Sequence, residues 1–409
     1  MNIAVWHNLP SGGGKRALFH HVKGLIKRGH YVESWCPPSA DQTYLPLSMI
    51  IKENVVPLDW KDQETNSLLG KIINPIKRGS KFRKIDKHCK ECAGQINSRG
   101  FDLLLANSCM YFGTSPIGKY VNTNKILYLQ EPYRVLYEFN PIIPWPAVCP
   151  PENILRFPHF IKLLIKDSLK INHYRNHVRK EINNARAFDI ILVNSYFSRE
   201  NIIRSYGLDA KVCYLGIDTD TFVNAYKPKE NNIVTIGALF PGKRIKFIIE
   251  AMSHLSLPRP SLVCVCNAID EIYLGEVQKC AKNNGVNLLI KYRISDAELV
   301  DTLQRSMLLA YAPQLEPFGY APLEANACGL PVVAVSEGGV RETVINNING
   351  LLVDNDPREM AKAISLLLTE KGKAEQLGLN GMKLVKRQWS METAMDNLEK
   401  YISLFPEGR

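Results

Sequence analysis

The chain contains no run approaching the ~18 consecutive apolar residues that a helix needs to cross a bilayer, so no membrane span is expected. Its opening, Asn2 to Trp6, reads as a strand and not as a charged stub before a long apolar core, so no secretory leader is expected. A disulfide framework is lacking too. The ten cysteines are scattered, and several (Cys213, Cys264, Cys266) sit in apolar runs, which points to reduced thiols in a cytoplasmic protein. Cys89-x-x-Cys92 is the one tight pair, and without a second pair it argues against a zinc or redox centre. The run Ser11-Gly12-Gly13-Gly14-Lys15 lacks the first glycine of a Walker phosphate loop, Leu9 standing there, and Arg16 replaces its Ser or Thr.

What is present is a folded composition, 45% hydrophobic and 22% charged over 409 residues, long enough for two domains. Lys and Arg number 51 against 40 acids, a net charge of +11, which calls for an anionic partner: nucleic acid, a membrane surface or a phosphorylated substrate. The basic residues concentrate in two stretches. Residues 71–90 carry eight Lys or Arg against Asp86, with Ile72, Ile73, Ile76, Phe82 and Ile85 between them, broken at Pro75 and Gly79. Residues 160–180 repeat the pattern, with Phe160, Leu163, Leu164, Ile165 and Leu169 among Lys162, Lys166, Lys170, Arg175 and Arg179. Solvated helix faces and peripheral binding to an anionic membrane both fit such segments; each basic residue near an anionic leaflet contributes about 1 kcal/mol. The spaced stacking aromatics of a nucleic-acid binder are not there.

Along the chain, strands and helices alternate. Ile3–Trp6, the glycine run, a helix with Leu18, Val22, Leu25 and Ile26 on one face, and the strand Tyr31–Trp35 make a βαβ unit. Buried-type strands follow at 101–106, 125–129 and 189–193, the second running into Gln130-Glu131-Pro132-Tyr133-Arg134. The proline-rich segment 140–151 reads as a loop, and Ser198 as the cap of a helix over 195–204. The polar segment 226–232 reads as a hinge before a second α/β domain, in which Ser295 and Glu298 form a capping box.

The densest stretch is Leu315–Glu342. Pro317 and Pro322 are expected to hold the chain extended, Leu323–Cys328 to form a short helix stopped by Gly329 and Pro331, and Gly338-Gly339 to open a second helix after the strand Val332–Val335. Two helix N-termini would then offer N–H groups to a diphosphate, worth up to about 2 kcal/mol each in sheltered geometry. Glu316 and Glu324 cannot bind phosphate; as hydrogen-bond acceptors they suit neighbouring sugar hydroxyls. Phosphate donors beside hydroxyl acceptors describe a nucleotide-sugar site.

This stretch, with FGYAPLEANACGLPVVAVSEGGVRETV and the later NGLLVD, resembles the Glu-x7-Glu motif of retaining glycosyltransferases of the GT-B fold, glycosyltransferase family 4. The resemblance implies an α/β protein of two Rossmann-like domains with a cleft between them. It assigns 1–216, with a returning helix at 388–409, to the acceptor side and 217–387 to the nucleotide sugar. It further implies that Glu316 touches the donor sugar and its phosphates, that Phe318, Gly319 and Tyr320 supply backbone, and that Glu324 holds the ribose. Gly237–Arg244 resembles the family's phosphate clamp, with Lys243 on its lysine; Ala238 stands where the arginine belongs, and Arg244 is taken as the remaining cation. Arg293 and Ile294 fall beside the nucleobase, Gly13 and Gly14 approach the diphosphate or the acceptor, and Glu131, where many members have a His-Asp pair, positions the acceptor hydroxyl. Glu316, Lys243 and Glu131 are thus the catalytic candidates.

The implied reaction is transfer of a hexose from a nucleoside-diphosphate sugar to a lipid-linked or glycan hydroxyl, with retention, without metal or other cofactor and without nucleic acid. Asp218-x-Asp220 and Asp354-x-Asp356 occupy linker and loop positions and are assigned no metal. The expected location is the cytoplasm, with peripheral attachment to the cytoplasmic membrane face through 71–90 and 160–180. A sugar-nucleotide epimerase of the same fold and a catalytically idle protein binding anionic surfaces are the alternatives.

Overall fold

The computed structural model describes residues 1–59, 68–137 and 157–406, the stretch 68–80 as backbone alone. Its contacts divide the chain into two compact units, Met1–Val193 with Arg199–Lys211 and Ser403–Arg409, and Asn194–Ser198 with Val212–Ile402. The segment 226–232 and the last long helix, which the sequence suggested as hinge and as a return to the first unit, both fall in the second.

The first unit runs β1 (Asn2–Asn8), α1 (Gly13–Lys27), β2 (Tyr31–Cys36), β3 (Lys52–Val55), α2 (Leu68–Ser98), β4 (Leu103–Cys109), β5 (Asn124–Gln130), α3 (Arg134–Tyr137), α4 (Phe157–Ala185), β6 (Ile190–Val193), α5 (Tyr196–Tyr206) and β7 (Lys211–Val212). Among the described residues its sheet has seven strands in the order β3-β2-β1-β4-β5-β6-β7. Runs such as Ile3–Trp6 and Leu103–Ala106 are buried along their whole length, as parallel strands covered on both faces require. The apolar stripe of α1 is Leu18, Val22 and Leu25, joined by Lys15 and His21; Ile26, expected on that face, is exposed.

α2 is continuous through Pro75 and Gly79, where a break was expected. The loop expected over 140–151 lies outside the described residues. The helix expected to start at Ser195 with Ser198 as cap begins at Tyr196, and the cap is Ser195, whose Oγ accepts the N–H of Ser198 at 2.9 Å. Ser198 instead donates its hydroxyl to Asn194.

The second unit continues with β8 (Asn232–Ile236), α6 (Ile245–Ser253), β9 (Ser261–Cys266), α7 (Glu271–Asn283), β10 (Leu288–Tyr292), α8 (Asp296–Arg305), β11 (Leu309–Tyr311), α9 (Tyr320–Ala327), β12 (Val332–Val335), α10 (Val340–Thr343), β13 (Gly350–Val353), α11 (Pro357–Thr369), α12 (Lys371–Gln388) and α13 (Met391–Ile402). Its six described strands are parallel, in the order β10-β9-β8-β11-β12-β13. The chain winds one way from β8 to β9 and β10 and the other way from β11 to β13. The carboxyl ends of β8 and β11 therefore flank a topological switch point, the place where open α/β sheets bind ligands. The Ser295–Glu298 capping box is formed as expected.

Candidate functional site

The loops leaving β8, β11 and β12 converge at this switch point. The turn after β8 is a short 3-10 helix, Pro241–Lys243, and the Lys243 stem lies over Gly237, where an added Cβ would come within 3.2 Å of Cδ. Lys243 Nζ donates to Glu316 Oε2 at 2.6 Å, across 73 residues of sequence. Both groups are half-sheltered, at 28% and 15% side-chain exposure, so neither points into bulk water. The backbone reinforces the pairing, since Gln314 N–H donates to Gly242 O at 2.8 Å.

After Glu316 the chain enters α9 through Gly319, whose backbone (φ 98°) is left-handed and suits glycine. The helix starts at Tyr320, three residues before the expected Leu323, with Pro322 inside its first turn. That position is open to proline because the first N–H groups of a helix have no partner within it. Glu324 lies on this helix and is 5% exposed, and Phe318 is 3% exposed, its ring packed with Tyr214, Tyr320 and Trp389.

The glycine pair after β12 has a different role from the one expected. Gly339 N–H is taken by Glu316 O at 2.7 Å. A Cβ on Gly338 would sit 2.5 Å from the same oxygen, and one on Gly339 would collide with the Pro317 carbonyl. α10 that follows has four residues. So Gly338-Gly339 is where one backbone lies directly on another, not a second phosphate-facing helix end.

Arg244 also departs from expectation. It adopts a left-handed backbone (φ 50°), and its guanidinium donates to Ala312 O at 2.6 Å, Asn355 Oδ1 at 2.9 Å and Glu337 Oε2 at 3.0 Å. Glu337 in turn accepts the Leu315 N–H at 3.1 Å. Arg293 and Ile294 follow β10 at the carboxyl edge of the same sheet, two strands from β8. Arg293 N–H donates to Cys266 O at 2.8 Å, and its backbone too is left-handed.

In the first unit the glycine run and the 130–134 turn meet. Gly13 begins α1, and a Cβ on Gly14 would touch the Gln130 side-chain amide at 3.2 Å. Gln130 Nε2 is buried there without a hydrogen-bond partner, and Gln130 itself has φ 63°. Next to it Glu131 forms an ion pair with Arg134 at 3.1 Å.

Beneath this loop is a buried polar group that sequence patterning missed. His7 Nε2 lies 3.0 Å from Glu53 Oε1, and Cys36 Sγ lies 3.7 Å from the same oxygen. The three donor atoms fall within 4.8 Å of one another, close enough for a metal ion. Lys15, fully buried and with no hydrogen-bond partner for Nζ, brings its charge to bear on all three. Burial lowers the Lys15 pKa against the pull of Glu53. Burial also acts to raise Glu53, but the His7 hydrogen bond and the charges of His7 and Lys15 outweigh it and hold the carboxyl below its ordinary range. Burial and Glu53 push Cys36 up to about 12. A dication would have to share this space with a buried ammonium, so the arrangement is better described as Lys15 balancing Glu53. The signal was legible: Lys15 is three residues before Leu18 and seven before Val22, on the apolar stripe of α1.

Among the described residues the cysteines are free thiols. Cys89 and Cys92 are fully buried, and burial raises the pKa of both thiols. No described helix is long and apolar enough to cross a membrane.

Two Rossmann-like units, with an acid and a lysine paired at the switch point of the second, define the class: an α/β protein of GT-B type. Residues 216–384, which lie in the second unit, match the family model Glycosyl transferases group 1. The human alpha-1,3/1,6-mannosyltransferase ALG2 is 26% identical over 284 residues, 62% of this chain and 68% of that protein. A GDP-mannose-dependent alpha-(1-6)-phosphatidylinositol monomannoside mannosyltransferase of Mycobacterium tuberculosis is 27% identical over 241 residues, 52% of this chain and 61% of the relative. Among solved structures, Anabaena HepE in complex with UDP and glucose aligns over 98% of this chain and 99% of its own with a TM-score of 0.69 at 18% identity, which speaks for the fold.

Proposed function

We propose that the protein moves a hexose, mannose in the first instance, from a nucleoside-diphosphate sugar to a hydroxyl of a lipid-linked or glycan acceptor, with retention of configuration and without a metal. The carrying observation is the Lys243–Glu316 pair at the carboxyl ends of β8 and β11. On donor binding the Lys243 ammonium moves its hydrogen bond to the diphosphate. Gly319 and Tyr320, at the start of α9, offer N–H groups to it, and Glu316, relieved of the lysine, accepts from sugar hydroxyls. Glu324, sheltered on α9, takes the ribose hydroxyls.

As the bond between the anomeric carbon and the diphosphate breaks, negative charge grows on the leaving oxygen and positive charge on the sugar ring. Lys243 and the amides meet the first where it develops, an electrostatic contribution of the kind worth about 10²- to 10³-fold per donor. The acceptor oxygen bonds to the same face, and its proton passes to the departing phosphate oxygen. The acceptor is assigned to the first unit, with Glu131 as hydrogen-bond acceptor for it. The names of the two mannosyltransferases favour mannose, and that of the mycobacterial one favours GDP.

A thermal-shift screen of UDP, GDP and ADP with their sugars tests the reading: a shift with one of them, lost in Glu324→Ala, is expected. No shift with any would instead favour an idle protein, and a new sugar nucleotide formed without acceptor would reveal an epimerase.

Peripheral attachment belongs to the same proposal. On α4, Phe157, Ile161, Leu163, Leu164, Ile165 and Leu169 are exposed alongside Lys162 and Lys166, an apolar and basic surface that suits an anionic leaflet. Co-sedimentation with phosphatidylglycerol vesicles but not with phosphatidylcholine is expected, and Lys162→Glu with Lys166→Glu should abolish it.

A further inference from the structure

The place of Arg244 beside Lys243 suggests a second cation for the diphosphate, yet each of its three guanidinium nitrogens already donates to a protein acceptor. Its contacts have a common direction. Nε holds Ala312 O, four residues before Glu316, and Nη2 holds Glu337, whose other carboxylate oxygen accepts the N–H of Leu315, the residue next to Glu316. Arg244 is next to Lys243 in the same way. The Arg244–Glu337 bridge, 3.0 Å long and with side chains 17% and 23% exposed, therefore joins the residue after Lys243 to the residue before Glu316. Leu315 has φ 47° and Arg244 φ 50°, so both neighbours of the reacting pair hold a left-handed backbone that side-chain residues rarely adopt. Each is the residue whose polar groups Glu337 engages. A strained backbone persists where surrounding contacts over-determine it, and here those contacts converge on one carboxylate.

We propose that Arg244 and Glu337 are positioning residues that set the Lys243–Glu316 pair, Glu337 tying the two loops together and Arg244 not serving as a diphosphate ligand. The inference rests on the donor-site reading above and deepens it. The two roles for Arg244 make opposite demands on Glu337. If the guanidinium bound phosphate, the carboxylate would compete with the donor, and Glu337→Gln would free the arginine and tighten nucleotide binding. If the bridge positions the loops, Glu337→Gln and removal of the arginine should do the same thing.

The variants are Arg244→Asn, since asparagine tolerates the left-handed backbone, Glu337→Gln and the double variant. Hydrogen exchange of the peptide covering 312–319 is expected to be at least fivefold faster in each single variant and no faster again in the double, because both break one bridge. Kd for UDP and GDP should stay within threefold of wild type in all three. Turnover of the sugar nucleotide selected by the thermal screen should fall about tenfold, with KM moving less than threefold. Unchanged exchange at 312–319 in Glu337→Gln, or a tenfold weaker Kd in Arg244→Asn together with a tighter one in Glu337→Gln, would overturn the proposal. If neither UDP nor GDP binds the wild-type protein, the donor reading fails while the exchange result still decides the bridge.

Discussion

At Gly338-Gly339 the space left by the missing side chains is filled by the backbone of Glu316 and Pro317, whereas at Gly14 it is filled by the amide tip of Gln130. The first neighbour cannot move without unmaking the Lys243–Glu316 turn. The second is the far end of a flexible side chain. Glycine after a parallel strand thus admits two kinds of neighbour, a backbone that cannot retreat and a side-chain tip that can.

The contrast can be broken most directly by adding a methyl group at each place. Gly339→Ala forces backbone against backbone and is expected to destabilise the second unit by about 3 kcal/mol or more, seen as loss of the folded baseline in urea unfolding. A mild effect would show that the 316–318 segment can retreat.

Acid should affect the stability of the two units differently. His21, on the buried face of α1 against the Tyr128 ring, is lowered to about 4, by burial first and then by His20. The unfolded chain takes up a proton near pH 6.5 that the folded one refuses until about pH 4. The stability this group supports is thus complete above pH 6.5 and is lost as pH falls toward 4, by up to about 3 kcal/mol. Burial lowers His7 and His88 as well, and all three lie in the first unit. Hydrogen exchange at pH 7 and pH 5 should show the first unit loosening ahead of the second, and His21→Leu should shrink the difference.

A third comparison removes a polar contact near the closed glycine pair. Asn349, fully buried, donates to Asn326 Oδ1 at 2.7 Å and to Thr343 O at 2.9 Å, and its oxygen accepts the Ile345 N–H at 2.6 Å. Asn349→Leu should cost about 2 kcal/mol by stranding these partners, measured as a fall in urea midpoint. The smallest effect is expected at the open glycine: Gly14→Ala should change stability by less than about 1 kcal/mol, because Gln130 can rotate away. Its consequence belongs in acceptor or donor KM instead, and Gln130→Ala should relieve it.

The strand and helix order and the capping box were legible from local pattern, and Lys243 and Glu316 were assigned to one site by the family resemblance, but their pairing with each other was not foreseen. Helix limits were less so. Pro322 reads as a breaker unless the helix is known to begin two residues earlier, and Pro75 reads as a break in a helix that in fact continues. The roles of Arg244, Glu337 and the glycine pair were hidden for a different reason. Each depends on three loops from β8, β11 and β12 arriving at one point, and spacing within any one of them carries no trace of the other two. Lys15 was overlooked because a lysine on an apolar stripe is ordinarily expected to reach solvent, whereas here Glu53 and His7 stand at the far side.

The contact between Lys243 and Glu316 bears on how the pair would answer an incoming anion. An ammonium that already rests against a carboxylate releases little when an isolated inorganic anion arrives, since one counter-ion is merely traded for another. A nucleotide sugar brings hydroxyls for the displaced acid as well as phosphates for the base, so both members of the couple are re-engaged at once. On the proposed donor reading, a whole nucleotide sugar would therefore gain more at this pair than inorganic phosphate does.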